Sequence, residues 1–130
     1  MNTVLLVDES ISKTFLVYKL LRKLKLSATI HIERGGTNAL GFVQDFALTY
    51  NNECPDLIII SSELLQSDAS HFLLYLRRMN FSNKDKMKIL ATGSLPKSIN
   101  YNDITVLPDP VTEQALIAAI ENPQLKTFAA

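Results

Sequence analysis

Cysteine is almost absent from this chain: Cys54 is the only one in 130 residues, so no disulfide can close within it and a reducing, cytoplasmic setting is expected. Cys54 precedes Pro55 at the start of a predicted strand, with no histidine or second thiol at metal-ligand spacing, and is expected to be structural. No apolar run approaches the roughly 18 residues that a membrane span needs, and no secretory leader is present, so a membrane is not an expected partner. An excess of charge is missing too. Thirteen basic residues balance thirteen acidic ones. The basic residues that do cluster, Lys19, Arg22, Lys23 and Lys25, spread over one predicted helix as a solvated face, which excludes the electrostatic footprint of a nucleic-acid binder. Gly35-Gly36 lacks the further glycines of a dinucleotide cradle, and Ser61-Ser62 lacks the glycine frame of a hydrolase elbow. His31 and His71 have no partner at ligand spacing. Repeats, linkers and low-complexity segments are absent.

What is present is an alternation of strand and helix in a chain long enough to bury one core unaided. Val4 to Val7 reads as a buried strand ending on the acids Asp8 and Glu9. Ser10 caps a predicted helix to about Leu24, with Phe15, Leu16, Leu20, Leu21 and Leu24 as its apolar stripe. Ala28 to Ile32 is a second strand, and Thr37 to Tyr50 a second helix facing inward with Leu40, Val43, Ala47 and Tyr50. Asp56 to Ile60 is apolar on both faces, ends on Ser61, and leads into a loop through Ala69. A helix from about Ser70 turns Phe72, Leu73, Leu76 and Met79 inward. Phe15, Phe42, Phe46 and Tyr75, with Phe72, fall at helical spacings and read as mostly core. Met87 to Thr92 and Ile104 to Leu107 are the last strands, and Thr112 caps a helix through Glu121. One domain over residues 1–122 is expected, with a short tail at 123–130 whose Leu125 and Phe128 can dock on the body or on a partner.

Strands separated by helices imply a doubly wound α/β sandwich with a parallel sheet. The most apolar strands, the first and third, should be central, and Pro108 suits the fifth to an edge. The carboxyl ends of neighbouring strands then gather Asp8, Glu9, Ser61 and Thr92 at one rim.

Over essentially its full length the chain resembles the receiver domains of two-component response regulators, the CheY-like family. Val4-Leu5-Leu6-Val7-Asp8-Glu9-Ser10 is similar to the family's first strand and acidic pair, and Pro55 through Ser61 to its third strand. Ile89-Leu90-Ala91-Thr92-Gly93 matches the fourth strand with its phosphoryl-contacting hydroxyl, and Asp109-Pro110-Val111 the fifth-strand Lys-Pro-aromatic element. The resemblance implies a flavodoxin-like, five-stranded parallel sheet in the order 2-1-3-4-5.

Measured against that family, the functional positions are altered. Ser61 stands where the phosphoaccepting aspartate is implied, and a serine needs a general base and forms a slowly hydrolysed ester. Asp109 stands where a lysine would clamp the phosphoryl group, and Val106 where a switch aromatic is implied. Asp68-Ala69 replaces an Asp-Gly turn, so Asp68 reads as a turn residue. The polar segment after Gly93, with Pro96 inside it, implies that the family's fourth helix is shortened.

The expectation is a stand-alone pseudo-receiver of the two-component signalling class, not an enzyme, acting as a signalling or scaffold module by protein contact without normal aspartyl phosphorylation. A histidine kinase or another regulator is the expected partner class, and no cofactor is required. Its output face would combine the shortened fourth-helix segment, the fifth strand and the last helix, with Ile117 outward and Leu116, Ala119 and Ile120 inward; a homodimer through this face is also expected. The alternative is a receiver that binds a divalent cation or still accepts phosphate, with Mg²⁺ or Ca²⁺ on Asp8, Glu9, the backbone carbonyl of Glu63 and Asp109. A metal-assisted hydrolase is the third reading, for which no nucleophile, base and pocket wall can be assigned together.

Overall fold

The computed structural model describes residues 3–25, 28–67, 69–95 and 103–121. Its strands are β1 (Thr3–Val7), β2 (Thr29–Glu33), β3 (Leu57–Ser61), β4 (Lys88–Thr92) and β5 (Ile104–Leu107). They form one parallel sheet in the order β2-β1-β3-β4-β5, as a doubly wound architecture requires. The apolar runs explain which strands are central. Every residue of β1 and of β3 is buried, because a strand covered on both faces gains from apolar side chains at odd and even positions alike.

That period of two feeds two separate cores. Leu5, Val7, Ile58, Ile60, Ile89 and Ala91 point to one face, where they meet Ala39 and Val43 of helix α2 (Gly36–Thr49) and Phe72, Leu73 and Leu76 of α4 (Ser70–Arg78). Val4, Leu6, Leu57, Ile59, Leu90 and Leu107 point to the other face. There they pack on Val17 and Leu21 of α1 (Ile11–Lys23) and on Leu116 and Ala119 of α5 (Glu113–Glu121). The short α3 (Ser62–Leu65) follows β3 directly, inside the segment expected to be a loop through Ala69. Ser61 produces it: its Oγ accepts the Glu63 N–H at 3.2 Å and starts a turn that buries Leu64 and Leu65.

The buried face of α1 differs from the expected stripe. Thr14, Val17 and Leu21 are buried, Leu20 and Leu24 pack at the margin, and Phe15 is 60% exposed with Leu16 also outside. The cap fixes this phase. Ser10 Oγ accepts the Lys13 N–H at 3.2 Å, and Thr14 then turns inward with its hydroxyl donating to the Ser10 and Ile11 carbonyls. A polar residue can hold a core position when its hydroxyl is satisfied locally, and that displaces the larger Phe15. Two further positions expected inside are exposed, Tyr50 and Met79, because each falls on the residue after its helix where the chain leaves the packed face. Phe42, Phe46 and Tyr75 are half-buried, and only Phe72 of the helical aromatics is fully enclosed. Ile117 is half-buried rather than outward, and Ile120 packs at the edge of the core.

Caps and ion pairs tie the ends. Thr112 Oγ1 accepts the Ala115 N–H at 3.2 Å, as expected of the α5 cap. Arg77 grips Asp103 through two N–H donors at 3.0 and 2.7 Å, joining α4 to the start of β5. Cys54 is enclosed, and desolvation drives its thiol far above the ordinary range. The Pro96 segment expected as a shortened fourth helix, the Asp68 turn and the tail at 123–130 lie outside the described residues; Gly93 to Leu95 carry no regular structure. Among the described residues no helix is long and apolar enough to cross a membrane.

Lys84 is buried and donates to the carbonyls of Arg77 and Met79 at 2.7 and 2.8 Å, closing the C-terminal end of α4. Replacing it with Met removes the donor while keeping the apolar stem. We expect chemical denaturation to show a loss of about 1–3 kcal/mol, the cost of leaving buried acceptors without a partner.

Candidate functional site

The parallel register brings the carboxyl ends of the central strands to one rim, since Val7 pairs with Ile60 and Ser61 with Thr92. Above that rim is a cleft of about 400 Å³ lined by Asp8, Glu9, Ser10, Lys13, Ser61, Glu63, Leu64 and Ser67. Four of the expected positions, Asp8, Glu9, Ser61 and Glu63, therefore do meet. Thr92 lies deeper, beside Ser61, and lines a void of about 10 Å³ beneath the cleft with Asp8, Lys13 and Thr14. Val106 is not part of the group: it lies on the edge strand β5, paired with Ala91 and 49% exposed.

The β1 end is held from several sides. Asp8 donates its N–H to the Glu33 carbonyl at 3.1 Å, and its Oδ1 accepts the Ser10 N–H at 2.9 Å. Arg34, at the turn after β2, donates to the Asp8 carbonyl, the Ser10 carbonyl and Thr14 Oγ1 at 3.1, 3.3 and 2.8 Å. One guanidinium thus fixes the loop that carries both acids to the helix that follows it. Asp8 is half-buried by this arrangement, whereas Glu9 projects into solvent. At the β3 end Ser61 is 6% exposed and its oxygen is engaged as the α3 cap, while Thr92 is 9% exposed.

Lys13 is the residue that sequence reasoning missed. Its ammonium donates to Asp109 Oδ2 at 2.9 Å and lies 3.9 Å from Glu63 Oε1, so one cation bridges the first turn of α1, α3 and the loop after β5. The hydrogen bond to Asp109 raises its pKa above the usual lysine value, opposed by desolvation and assisted in smaller measure by the charges of Asp109, Glu63 and Asp8. A signal for it was available: the first turn of α1 holds no acid, and a lysine there opposes the helix dipole, which is unfavourable unless another partner claims it.

A receiver-like rim implies a divalent cation, and the donor set must meet its needs. Mg²⁺ demands near-octahedral oxygen ligands, several of them free to turn toward the ion. Here Asp8 Oδ1 is committed to Ser10, the Glu63 carbonyl accepts the Ser67 hydroxyl at 3.1 Å, and a lysine ammonium stands in the same cleft. Among the described residues no three His, Cys, Asp or Glu side chains converge to hold a metal ion. As arranged, these residues do not fit Mg²⁺ or Ca²⁺.

No protein-family model matches the chain. No curated protein matches it either. Solved structures do match in fold. The bacteriophytochrome response regulator RtBRR superposes with a TM-score of 0.72 at 21% identity, covering 98% of this chain and 80% of its own. A CheY-like response regulator receiver domain from Methylobacillus flagellatus gives 0.68 at 16% identity, covering 93% and 97%. The receiver domain of Ssk1 from Saccharomyces cerevisiae, co-crystallised with the histidine phosphotransfer protein Ypd1, gives 0.61 at 18%, covering 88% and 82%. At these identities the likeness establishes the flavodoxin-like, CheY-like fold.

Gly93 follows Thr92 with φ +90°, and a Cβ placed there would come 2.8 Å from Ser62 Oγ. Gly93→Ala is expected to lower stability by about 1–2 kcal/mol through its left-handed backbone alone. Adding Ser62→Ala should relieve the contact and leave the backbone cost, as read by denaturation of the single and double variants. For Lys13, the raised pKa fixes a pH window. Its ion pair contributes below the unfolded value of 10.5 and is lost as pH rises through the higher folded value. Lys13→Met should therefore cost at most about 1 kcal/mol at pH 7, as exposed pairs do. In paired denaturation curves that difference should persist to pH 10 and shrink above it.

Proposed function

We propose that this chain is a degenerate, stand-alone receiver that works as a signalling or scaffold module through protein contact, without aspartyl phosphorylation. The observation that carries the reading is the state of the β3 end, where Ser61 is buried, uncharged and used as the cap of α3. A hydroxyl attacks phosphorus only with a base to take its proton. The nearest basic side chain lining the cleft is Lys13, which Asp109 holds protonated. Asp109 itself presents negative charge where phosphate binding calls for a cation. Val106 adds a third reason, because a short, β-branched side chain on an edge strand is a poor reporter of any movement of Thr92.

A partner must then read the surface. On α1, Ile11, Phe15 and Tyr18 project from one face at spacings of four and three residues, all exposed, with Lys19 and Arg22 beside them. Ser10, which caps α1 just before Ile11, also lines the cleft. An amphipathic helix with an acidic rim complements it, the chemistry that a histidine kinase, a phosphotransfer protein like the one bound to Ssk1, or another regulator would offer in a cytoplasmic phosphorelay. The open edge of β5, with Val106 outward, is the place for a second copy.

Incubation of the full chain with acetyl phosphate and Mg²⁺, followed by intact-mass measurement, tests the reading. The mass is expected to stay unchanged. A stoichiometric phosphoryl adduct that disappears in Ser61→Ala would show that the site still accepts phosphate and would overturn it.

A further inference from the structure

The far edge of the sheet, away from β5, is β2. Because the Glu33 carbonyl accepts the Asp8 N–H, and backbone groups alternate along a strand, Thr29, His31 and Glu33 face β1 while Ile30 and Ile32 turn their N–H and C=O outward. Edge strands are usually blunted by lysine, proline or a bulge. β2 has none of these: its sequence is Thr29-Ile30-His31-Ile32-Glu33, and it pairs with β1 over five consecutive positions. On the α2 side of this edge runs a groove of about 250 Å³ lined by His31, Phe42, Asp45, Phe46, Thr49 and Tyr50, among others. Its wall is a row of rings, with centroids 4.6 Å apart from His31 to Phe42, 6.0 Å from Phe42 to Phe46 and 4.6 Å from Phe46 to Tyr50. Phe42 and Phe46 are only half-buried, and His31 and Tyr50 are exposed, so the row keeps a face open to solvent. Asp45 is exposed beside it, and its carboxylate has no ion pair or hydrogen bond among the described residues. No lysine or arginine lines the groove.

We propose that the β2 edge and this groove take an extended segment of a partner protein as an added strand, with an arginine side chain laid over the ring row against Asp45. The outward groups of Ile30 and Ile32 are two residues apart, the repeat at which an added strand presents its own backbone donors and acceptors. Its side chains then alternate between the α2 groove and the opposite face. Phe42, Phe46 and Tyr50 follow one another at four-residue intervals along α2, a row roughly 12 Å long, which matches about four residues of extended chain. Ring faces and a carboxylate both attract a cation, and a planar guanidinium can stack on a ring while its N–H groups reach the carboxylate. A second copy of this chain fits less well. Its β2 carries Glu33 and no lysine or arginine, and Arg34 just beyond is held by the Asp8 and Ser10 carbonyls and Thr14. Pairing two copies would therefore add carboxylates without supplying the cation. This surface is separate from the cleft, so phosphorylation of Ser61 would leave it standing.

The probe is a short blocked peptide of alternating threonine and valine with one central arginine, titrated into the full isotope-labelled chain. Saturable amide shifts are expected at Thr29–Glu33 and along α2 from Phe42 to Tyr50, and hydrogen exchange at the outward amides of Ile30 and Ile32 should slow. The same peptide with citrulline in place of arginine should bind at least about threefold more weakly, the lower range of an exposed cation–π contact. Asp45→Asn and Tyr50→Leu, both at exposed positions, should each weaken the arginine peptide by a similar factor. Three results would overturn the proposal: no saturable shift at β2, equal affinity for the arginine and citrulline peptides, or shifts at β2 that follow the concentration of the chain itself and not the peptide, which would give the edge to a second copy.

Discussion

The parallel pairing of β1, β3 and β4 is the constraint on which the rest of this structure depends. Parallel strands end on the same side of a sheet, so whatever follows each one is brought to a single rim. Because Val7 lies beside Ile60 and Ser61 beside Thr92, two acids and two hydroxyls gather there before any chemistry is asked of them. The register is in turn secured by burial. Val4 through Val7 and Leu57 through Ile60 send alternate side chains into two cores, and a slip of one residue would exchange the residues facing each core and misalign the strand ends.

Such a rim has a charge to balance. Lys13 offsets part of it, reaching from α1 to Asp109 and Glu63, while Arg34 holds the β1 loop by its carbonyls rather than its carboxylates. The hydroxyls are also used internally, with Ser61 capping α3 and Ser67 donating to the Glu63 carbonyl. The exposed apolar side chains Ile11, Phe15 and Tyr18 project from α1, whose cap Ser10 lines the cleft.

The architecture was legible because the runs Val4-Leu5-Leu6-Val7 and Leu57-Ile58-Ile59-Ile60 admit one sensible placement, at the centre of a doubly covered sheet. Ser61, Asp8 and Glu9 were legible for the same reason, being fixed to strand ends. Lys13 was not. Its role depends on a tertiary meeting of α1 with the loop after β5, ninety-six residues away, and helical periodicity says nothing about such a meeting. The face of α1 was misread for a related reason: a locally satisfied Thr14 counts as polar in any pattern yet packs inside. The turn of α3 was missed because a single serine cap within a loop-like stretch gives too short a period to detect.

On the function proposed above, the cleft is complete without a bound ion or phosphoryl group. A crystal structure of the full chain grown with Mg²⁺ and beryllofluoride tests it most directly. Lys13 is expected still to pair with Asp109, with Ser61 Oγ unmodified and accepting the Glu63 N–H, and water alone in the cleft. An octahedral ion on Asp8 and Glu9 with Lys13 displaced, or a beryllofluoride adduct on Ser61, would contradict it.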